Sequence, residues 1–169
     1  GQCRAMLGQV WREQQATNER WYDRPSACRF TTFHAWEYSH SPRSTKVHRN
    51  VILRNEIVPE LPVSSLETPR EIDLRHQLMD LCNDTDTGCE AIAIPHNPNM
   101  SNGQMFSLED GDGRPFDRDY AIRRTRHEPI AEITQVKGDS ESHPLLSPDD
   151  EFADFETWDY GNIGVPSVR

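Results

Sequence analysis

The sequence predicts an α/β fold in which mostly parallel strands are joined by helical crossovers and long loops. Four apolar residues in a row at 91–94 predict a strand that is covered on both faces. Strand-like and helix-like segments alternate along the chain from residue 47 onward, and this order is typical of parallel strands with crossover helices. Twelve prolines and nine glycines indicate many turns and long connections between a few regular elements.

The first predicted element is a helix over residues 5–22, where helix-favouring residues place Met6, Val10 and Trp11 at roughly helical spacing. The segment 28–39 is dense in aromatic and β-branched residues and predicts a strand. The later elements are predicted from the same two patterns: strands at 47–55, 91–94 and 129–138, and helices at 70–82 and 117–127.

Length and charge limit the class of protein. A chain of 169 residues is long enough for one domain with a core, and its net charge of -10 repels phosphate backbones, which argues against nucleic-acid binding. A net negative charge is better suited to binding divalent cations than to binding nucleic acid. No apolar run reaches the ~20 residues that a membrane span needs. The chain opens without an initiator methionine, so residues 1–169 are expected to be one interior segment of a larger domain, ending in an acidic, irregular tail over 139–169.

The four cysteines have no C-x-x-C spacing, which argues against a structural zinc site. Cys82 and Cys89 flank a polar loop and would close a small disulfide if the protein is exported. Two free thiols near the ends of a helix and a strand are the alternative.

One carboxylate and two histidines fall at the ends of predicted strands. Glu37 follows Phe33 and Ala35 on what is expected to be an inward face, and burying a carboxylate there is costly unless a cation meets it. His48 begins the next strand and His96 ends the third. Each residue alone has an ordinary explanation, as a solvent-exposed strand end or a surface or core histidine. Together they form a ligand set suited to zinc, manganese or iron.

Polar residues beyond the same strand ends are candidates for the substrate side. The turn after His96 carries Asn97, Asn99 and Asn102, whose side chains bind backbone or ligands well. At the end of the next predicted strand, Lys137 would hold a substrate anion, and Asp139 would bind a metal or orient a histidine. An ordinary polar turn explains the last two residues equally well.

Several sequence segments together carry a resemblance to a known family, among them "RFTTFHAWEYS", "HRNVILRN", "AIAIPHNPNMSNG" and "EPIAEITQVKGDSESHP". They resemble the family known as domain of unknown function 3604, which itself resembles the PHP (polymerase and histidinol phosphatase) metallohydrolases. The resemblance implies a partial, irregular β/α barrel that binds up to three divalent metals at the carboxyl ends of its strands. It also implies that Glu37, His96 and, less directly, His48 occupy metal-ligand positions.

The chain lacks two parts of the PHP pattern, the opening pair of histidines separated by one residue and the closing Asp-x-His. This segment is therefore expected to hold at most part of a metal site. The expected activity is metal-dependent hydrolysis of a small anionic substrate, with a phosphoester as the leading candidate. The sequence does not identify the catalytic residues. A non-catalytic domain that binds a sugar or an anion, and a hydrolase of another ester such as a sulfate ester, are the alternatives.

Overall fold

The computed structural model describes residues 2–23, 27–109, 113–135, 138–139 and 142–155, with the backbone alone at residues 43, 138 and 139. The helices of these residues are α1 (Gln2–Trp21), α2 (Glu71–Leu78) and α3 (Arg118–His127). The strands are β1 (Ala35–Tyr38), β2 (Arg49–Leu53), β3 (Ala91–Pro95), β4 (Thr134–Gln135) and β5 (Gly138–Asp139). Short 3-10 turns lie at Pro42–Ser44 and Pro98–Met100, and a π-helical turn at Met79–Asn83 follows α2.

Strands β1 and β2 run in opposite directions. The Leu53 N–H donates to the His34 carbonyl at 2.9 Å, and the Val47 N–H donates to the His40 carbonyl at 3.1 Å. Residue numbers therefore rise along one strand as they fall along the other, which defines an antiparallel pair. Both bonds imply the same register, so no residue is inserted between them.

Strands β2 and β3 are antiparallel as well, and the three strands form one sheet in the order β1-β2-β3. The Arg54 N–H donates to the Glu90 carbonyl at 3.0 Å, and the His96 N–H donates to the His48 carbonyl at 3.1 Å. Strands β4 and β5 form a separate antiparallel pair.

The predicted fold class is therefore wrong: this is a small antiparallel sheet with helices, and not a partial β/α barrel of mostly parallel strands. The link between β1 and β2, residues 39–48, holds only a 3-10 turn and is too short for the usual helical crossover. The link between β2 and β3, residues 54–90, contains α2, but a long connection with a helix can join strands of either direction. Alternation of element types alone does not fix strand direction.

The predicted helices and strands agree with the structure better than the predicted strand directions do. The helices at 5–22, 70–82 and 117–127 and the strands at 47–55 and 91–94 are confirmed within a few residues at their ends. The two longest predicted strands are shorter: 28–39 contains only β1, and the described residues of 129–138 contain only β4 and the first residue of β5. No helix in the described part of the chain has the length and apolar composition that a bilayer crossing requires.

The chain divides into two compact units, and the first comprises Gly1–Tyr38 and Val51–Ala93. Its core is apolar, because alternate residues of the strands point inward from one face of the sheet. The buried members are Trp11, Tyr38, Val51, Leu53, Val63, Leu74, Leu78, Cys82, Cys89, Ala91 and Ala93. The structure joins Cys82 to Cys89 in a disulfide that ties the end of the π-helical turn to the start of β3.

Helix α1 contributes one large side chain to this core. Trp11 is buried, its indole N–H donates to the Pro59 carbonyl at 3.0 Å, and its ring meets that of Trp36 edge-on at 5.7 Å. Met6 and Val10 are exposed. The helical spacing thus identified α1 as a helix but overstated the apolar stripe that it buries.

The second unit comprises Ser39–Asn50 and Ile94–Arg169. A buried charged network lies inside it: Arg49 Nε donates to Glu128 Oε1 at 2.6 Å, and Arg124 Nε donates to Glu128 Oε2 at 2.9 Å. Both arginines also donate to the Met105 carbonyl. The network joins the start of β2, the end of α3 and the loop that follows β3.

Candidate metal centre

The antiparallel register explains how Glu37, His48 and His96 come together. The bonds between β1 and β2 place Glu37 opposite Asn50, two residues along β2 from His48 and on the same face of the sheet. The bond between the His96 N–H and the His48 carbonyl places those two residues directly opposite each other. All three side chains therefore share one face, although they were expected to meet at the rim of a parallel sheet.

The ligand atoms of the three side chains are close enough for one ion to be considered. One atom from each of Glu37, His48 and His96 lies within 4.8 Å of the other two, and the imidazole centroids are 5.9 Å apart. Nitrogen and oxygen ligands about 2.1 Å from a tetrahedral ion lie about 3.4 Å from one another. Separations of up to 4.8 Å would therefore have to shorten by as much as about 1.4 Å for the three ligands to close around one ion.

The burial of the three residues differs from the expectation in one respect. Glu37 was expected on an inward face with Phe33, but both are exposed, and the neighbouring Tyr38 is the residue that enters the core. His48 and His96 are partly buried. The carboxylate therefore lies on the solvent side of the sheet, and its position does not require a cation to offset burial.

Two polar residues that the sequence did not single out lie beside His48. The Ser41 hydroxyl is 3.0 Å from His48 Nε2, and the Lys46 ammonium donates to the same hydroxyl oxygen at 3.3 Å. Hydrogen bonds to the second ring nitrogen commonly orient a ligating histidine. Both residues belong to the turn between β1 and β2, where the sequence has no period to draw attention to them.

The asparagine turn is held by its own first residue. Asn97 is fully buried, its amide nitrogen donates to the Ile133 carbonyl, and its amide oxygen accepts the Asn99 N–H at 3.1 Å. The Asn97 N–H donates to Glu132 Oε2 at 2.9 Å. The side chain of Asn97 thus orders the turn that follows β3.

The other predicted substrate residues lie in several settings. Asn99 is partly buried, while Asn102 is exposed and has a φ of 52°, in the left-handed region that asparagine tolerates. Lys137 lies outside the described residues. The backbone of Asp139 pairs with Thr134 in the β4–β5 ladder, and its side chain lies outside the described part. The substrate roles of Asn97 and of these residues stay predictions.

The family model described as "Protein of unknown function (DUF3604)" matches residues 1–167. The chain belongs to the DUF3604 family. No curated protein and no solved structure matches it. All three candidate ligands of this DUF3604 chain lie inside the matched range, so the cluster is part of the family domain and not of an added segment.

The ligand set of the DUF3604 chain fits a particular kind of site. Two imidazoles and one carboxylate suit zinc, manganese or iron. Structural zinc sites are closed by four protein ligands, whereas catalytic sites use three and leave a position for water or substrate. An ion held by these three candidate ligands alone would keep a position for water or substrate.

Proposed function

We propose that this DUF3604 chain contributes to a metal-dependent hydrolase, with a phosphoester as its substrate. The observation that carries the proposal is the convergence of Glu37, His48 and His96 on one face of the sheet, with ligand atoms within 4.8 Å. Their chemistry suits a borderline divalent ion, and their number leaves room for a reacting water.

The chemistry of the reaction explains why such a site would serve it. Hydrolysis adds the oxygen of water to phosphorus and breaks the phosphorus–oxygen ester bond, while the departing alcohol takes up a proton. A bound divalent ion neutralises the charge on the phosphoryl oxygens and makes water more acidic. Glu37, His48 and His96 would hold that ion, and Ser41 would fix the orientation of the His48 ring.

The resemblance to PHP metallohydrolases supports the proposed metal chemistry of the site and does not extend to the fold. It implies metal-ligand positions for Glu37, His48 and His96, and these are the three residues whose side chains lie close together. A sulfate ester presents a similar tetrahedral group, so substrate screening has to include it.

Metal content tests the proposal most directly. The full chain purified without chelator should retain zinc, manganese or iron, measured by inductively coupled plasma mass spectrometry. Removing one partner that merely orients a ligand lowers metal affinity 10–100-fold, so Glu37→Gln, His48→Gln and His96→Gln should each lower it by more than about 100-fold. His76→Gln is the matched control, since His76 is an exposed histidine on α2.

Two further measurements separate the possible functions. Chelator should lower the melting temperature of the wild type and leave the three ligand variants unchanged, because an ion bound only to the folded state stabilises it. A screen of phosphate and sulfate esters then identifies the substrate class. A wild type that binds no ion, or ligand variants that bind ions as well as His76→Gln does, would overturn the proposal.

A further inference from the structure

We propose that Lys46, supported by Ser41, is the contact that holds the anionic part of the substrate, a tetrahedral oxyanion of the phosphate-monoester kind. The inference rests on the proposed function, because the oxyanion would contact both the Lys46 ammonium and the ion held by Glu37, His48 and His96. It adds a residue that determines which substrates the site accepts.

Position is the first support. Lys46 donates to the Ser41 hydroxyl, which is in turn hydrogen-bonded to the His48 ring, so the ammonium lies within two hydrogen bonds of a candidate ligand. The backbone at this point is fixed on both sides: the Lys46 N–H donates to the Met100 carbonyl at 2.9 Å, and the next N–H, that of Val47, bonds into the sheet. The base of the lysine side chain is therefore held in place beside the site.

Charge is the second support. The Lys46 ammonium lies two hydrogen bonds from the His48 ring, and its positive charge repels a divalent ion that His48 would help to hold, which weakens the binding of the ion. In the described part of the chain, no carboxylate pairs with the Lys46 ammonium, and its hydrogen bond to Ser41 uses one of its three donors. An anion between the two cations removes the repulsion and takes up the remaining donors. A neutral ester would do neither.

Composition is the third support. The chain contains two lysines, Lys46 and Lys137, against many arginines. The sequence pointed to Lys137 as the anion contact, but that residue lies outside the described residues. Lys46 is the lysine that the structure places beside the candidate ligands. A compact ammonium on a flexible stem suits a single oxyanion contact.

The experiment measures how Mn²⁺ and inorganic phosphate affect each other's binding to the full chain. Mn²⁺ affinity is determined by electron paramagnetic resonance with and without inorganic phosphate, for the wild type, Lys46→Met and Lys46→Arg. Lys46→Met keeps an aliphatic stem of similar length and removes the charge. Arg54→Met is the matched control, because it removes one exposed positive charge elsewhere.

The proposal predicts effects of opposite sign. Without phosphate, Lys46→Met should bind Mn²⁺ as tightly as the wild type or up to about fivefold more tightly, since the repulsion is gone. With phosphate, the wild type should gain about tenfold in Mn²⁺ affinity and Lys46→Met should lose most of that gain, because coupling between two ligands is reciprocal. Lys46→Arg should keep the coupling. A purely structural role for Lys46 would weaken Mn²⁺ binding in both conditions.

Each other outcome has a defined meaning. Mn²⁺ binding with equal phosphate coupling in wild type and Lys46→Met would overturn the anion contact and leave the metal site standing. Failure of the wild type to bind Mn²⁺ would overturn the proposed function and this inference together. Sulfate should reproduce the effect of phosphate in part and acetate should not; equal coupling by acetate would overturn the tetrahedral specificity.

Discussion

The two units of the chain differ in what their main buried cluster contains. The unit formed by Gly1–Tyr38 and Val51–Ala93 has an apolar core cluster, and it also buries Arg75 on α2. The unit formed by Ser39–Asn50 and Ile94–Arg169 buries charges, with Arg49 wholly inaccessible and paired to Glu128. An apolar core loses stability in proportion to the volume removed, whereas a buried ion pair loses it when one charge is left without its partner. Substitutions in the two units should therefore fail in different ways.

The largest effect is expected at Glu128. Replacing it by glutamine keeps the shape but leaves Arg49 and Arg124 without the carboxylate that both contact at 2.6 and 2.9 Å. A buried pair broken on one side costs about 3–5 kcal/mol. Urea unfolding followed by circular dichroism should show that loss in the free energy of unfolding of Glu128→Gln.

The matched control is an exposed ion pair in the other unit. Glu90 lies 2.7 Å from Arg54 and raises the pKa of that guanidinium, which is charged at neutral pH in any case. Because both side chains are exposed, Glu90→Gln should leave the urea midpoint unchanged within error. Similar losses in Glu90→Gln and Glu128→Gln would contradict the special role of the buried network.

In the apolar unit, the corresponding test is Leu78. This side chain is fully buried on α2, and truncation to alanine leaves a cavity that should cost about 3 kcal/mol. Leu78→Met, which conserves volume, should cost less than about 1.5 kcal/mol. Leu66→Ala is the control, since Leu66 is 94% exposed. If Leu78→Ala left the free energy of unfolding unchanged in the same urea titration, this core would not be what stabilises the unit.

The conservative exchange in the second unit sharpens the contrast. Arg49→Lys keeps the charge but loses the planar group that donates to Glu128, Val47 and Met105 at once. It should cost more than Leu78→Met in the same titration. Equal tolerance of the two exchanges would remove the distinction between a packed core and a directional network.

The sequence predicts local elements in both units and misses the long-range pairing, and the reason is physical. Local composition and spacing report which short segments form helices or strands, so α2 in the first unit and α3 in the second were found close to their true bounds. Strand direction depends on which distant segments pair, and no local period records that. The Arg49–Glu128 pair spans 79 positions and carries no local signal either.

The candidate site was predicted in part for a reason that proved incorrect. Glu37, His48 and His96 were grouped by ligand chemistry and by their places at strand ends, and the structure brings the three together. The expected cause was a parallel rim, whereas the observed cause is the antiparallel register. Ser41 and Lys46 were missed because turn residues have no repeat that distinguishes a site contact from solvent exposure.

The smallest expected effect concerns Asp73, a surface charge of the apolar unit. Arg70 donates to its carboxylate at 2.8 and 2.9 Å and lowers the pKa of Asp73 below its usual range. A depressed pKa in the folded state stabilises the protein above the unfolded pKa of about 3.9, and that stabilisation is lost as pH falls through the folded pKa. Because both side chains are partly exposed, the contribution is below about 1 kcal/mol.

Asp73→Asn should therefore be slightly less stable than the wild type at pH 7, and the difference should shrink below about pH 4 as the wild-type carboxylate takes up a proton. Urea midpoints at pH 7 and pH 3 measure this change, with Asp80→Asn, on the exposed side of the next turn, as the control. If the difference between Asp73→Asn and wild type were as large at pH 3 as at pH 7, hydrogen-bond geometry and not charge would hold Arg70 to Asp73. The charge of Asp73 would then contribute nothing measurable to the stability of this unit, which would widen the contrast with the buried network around Glu128.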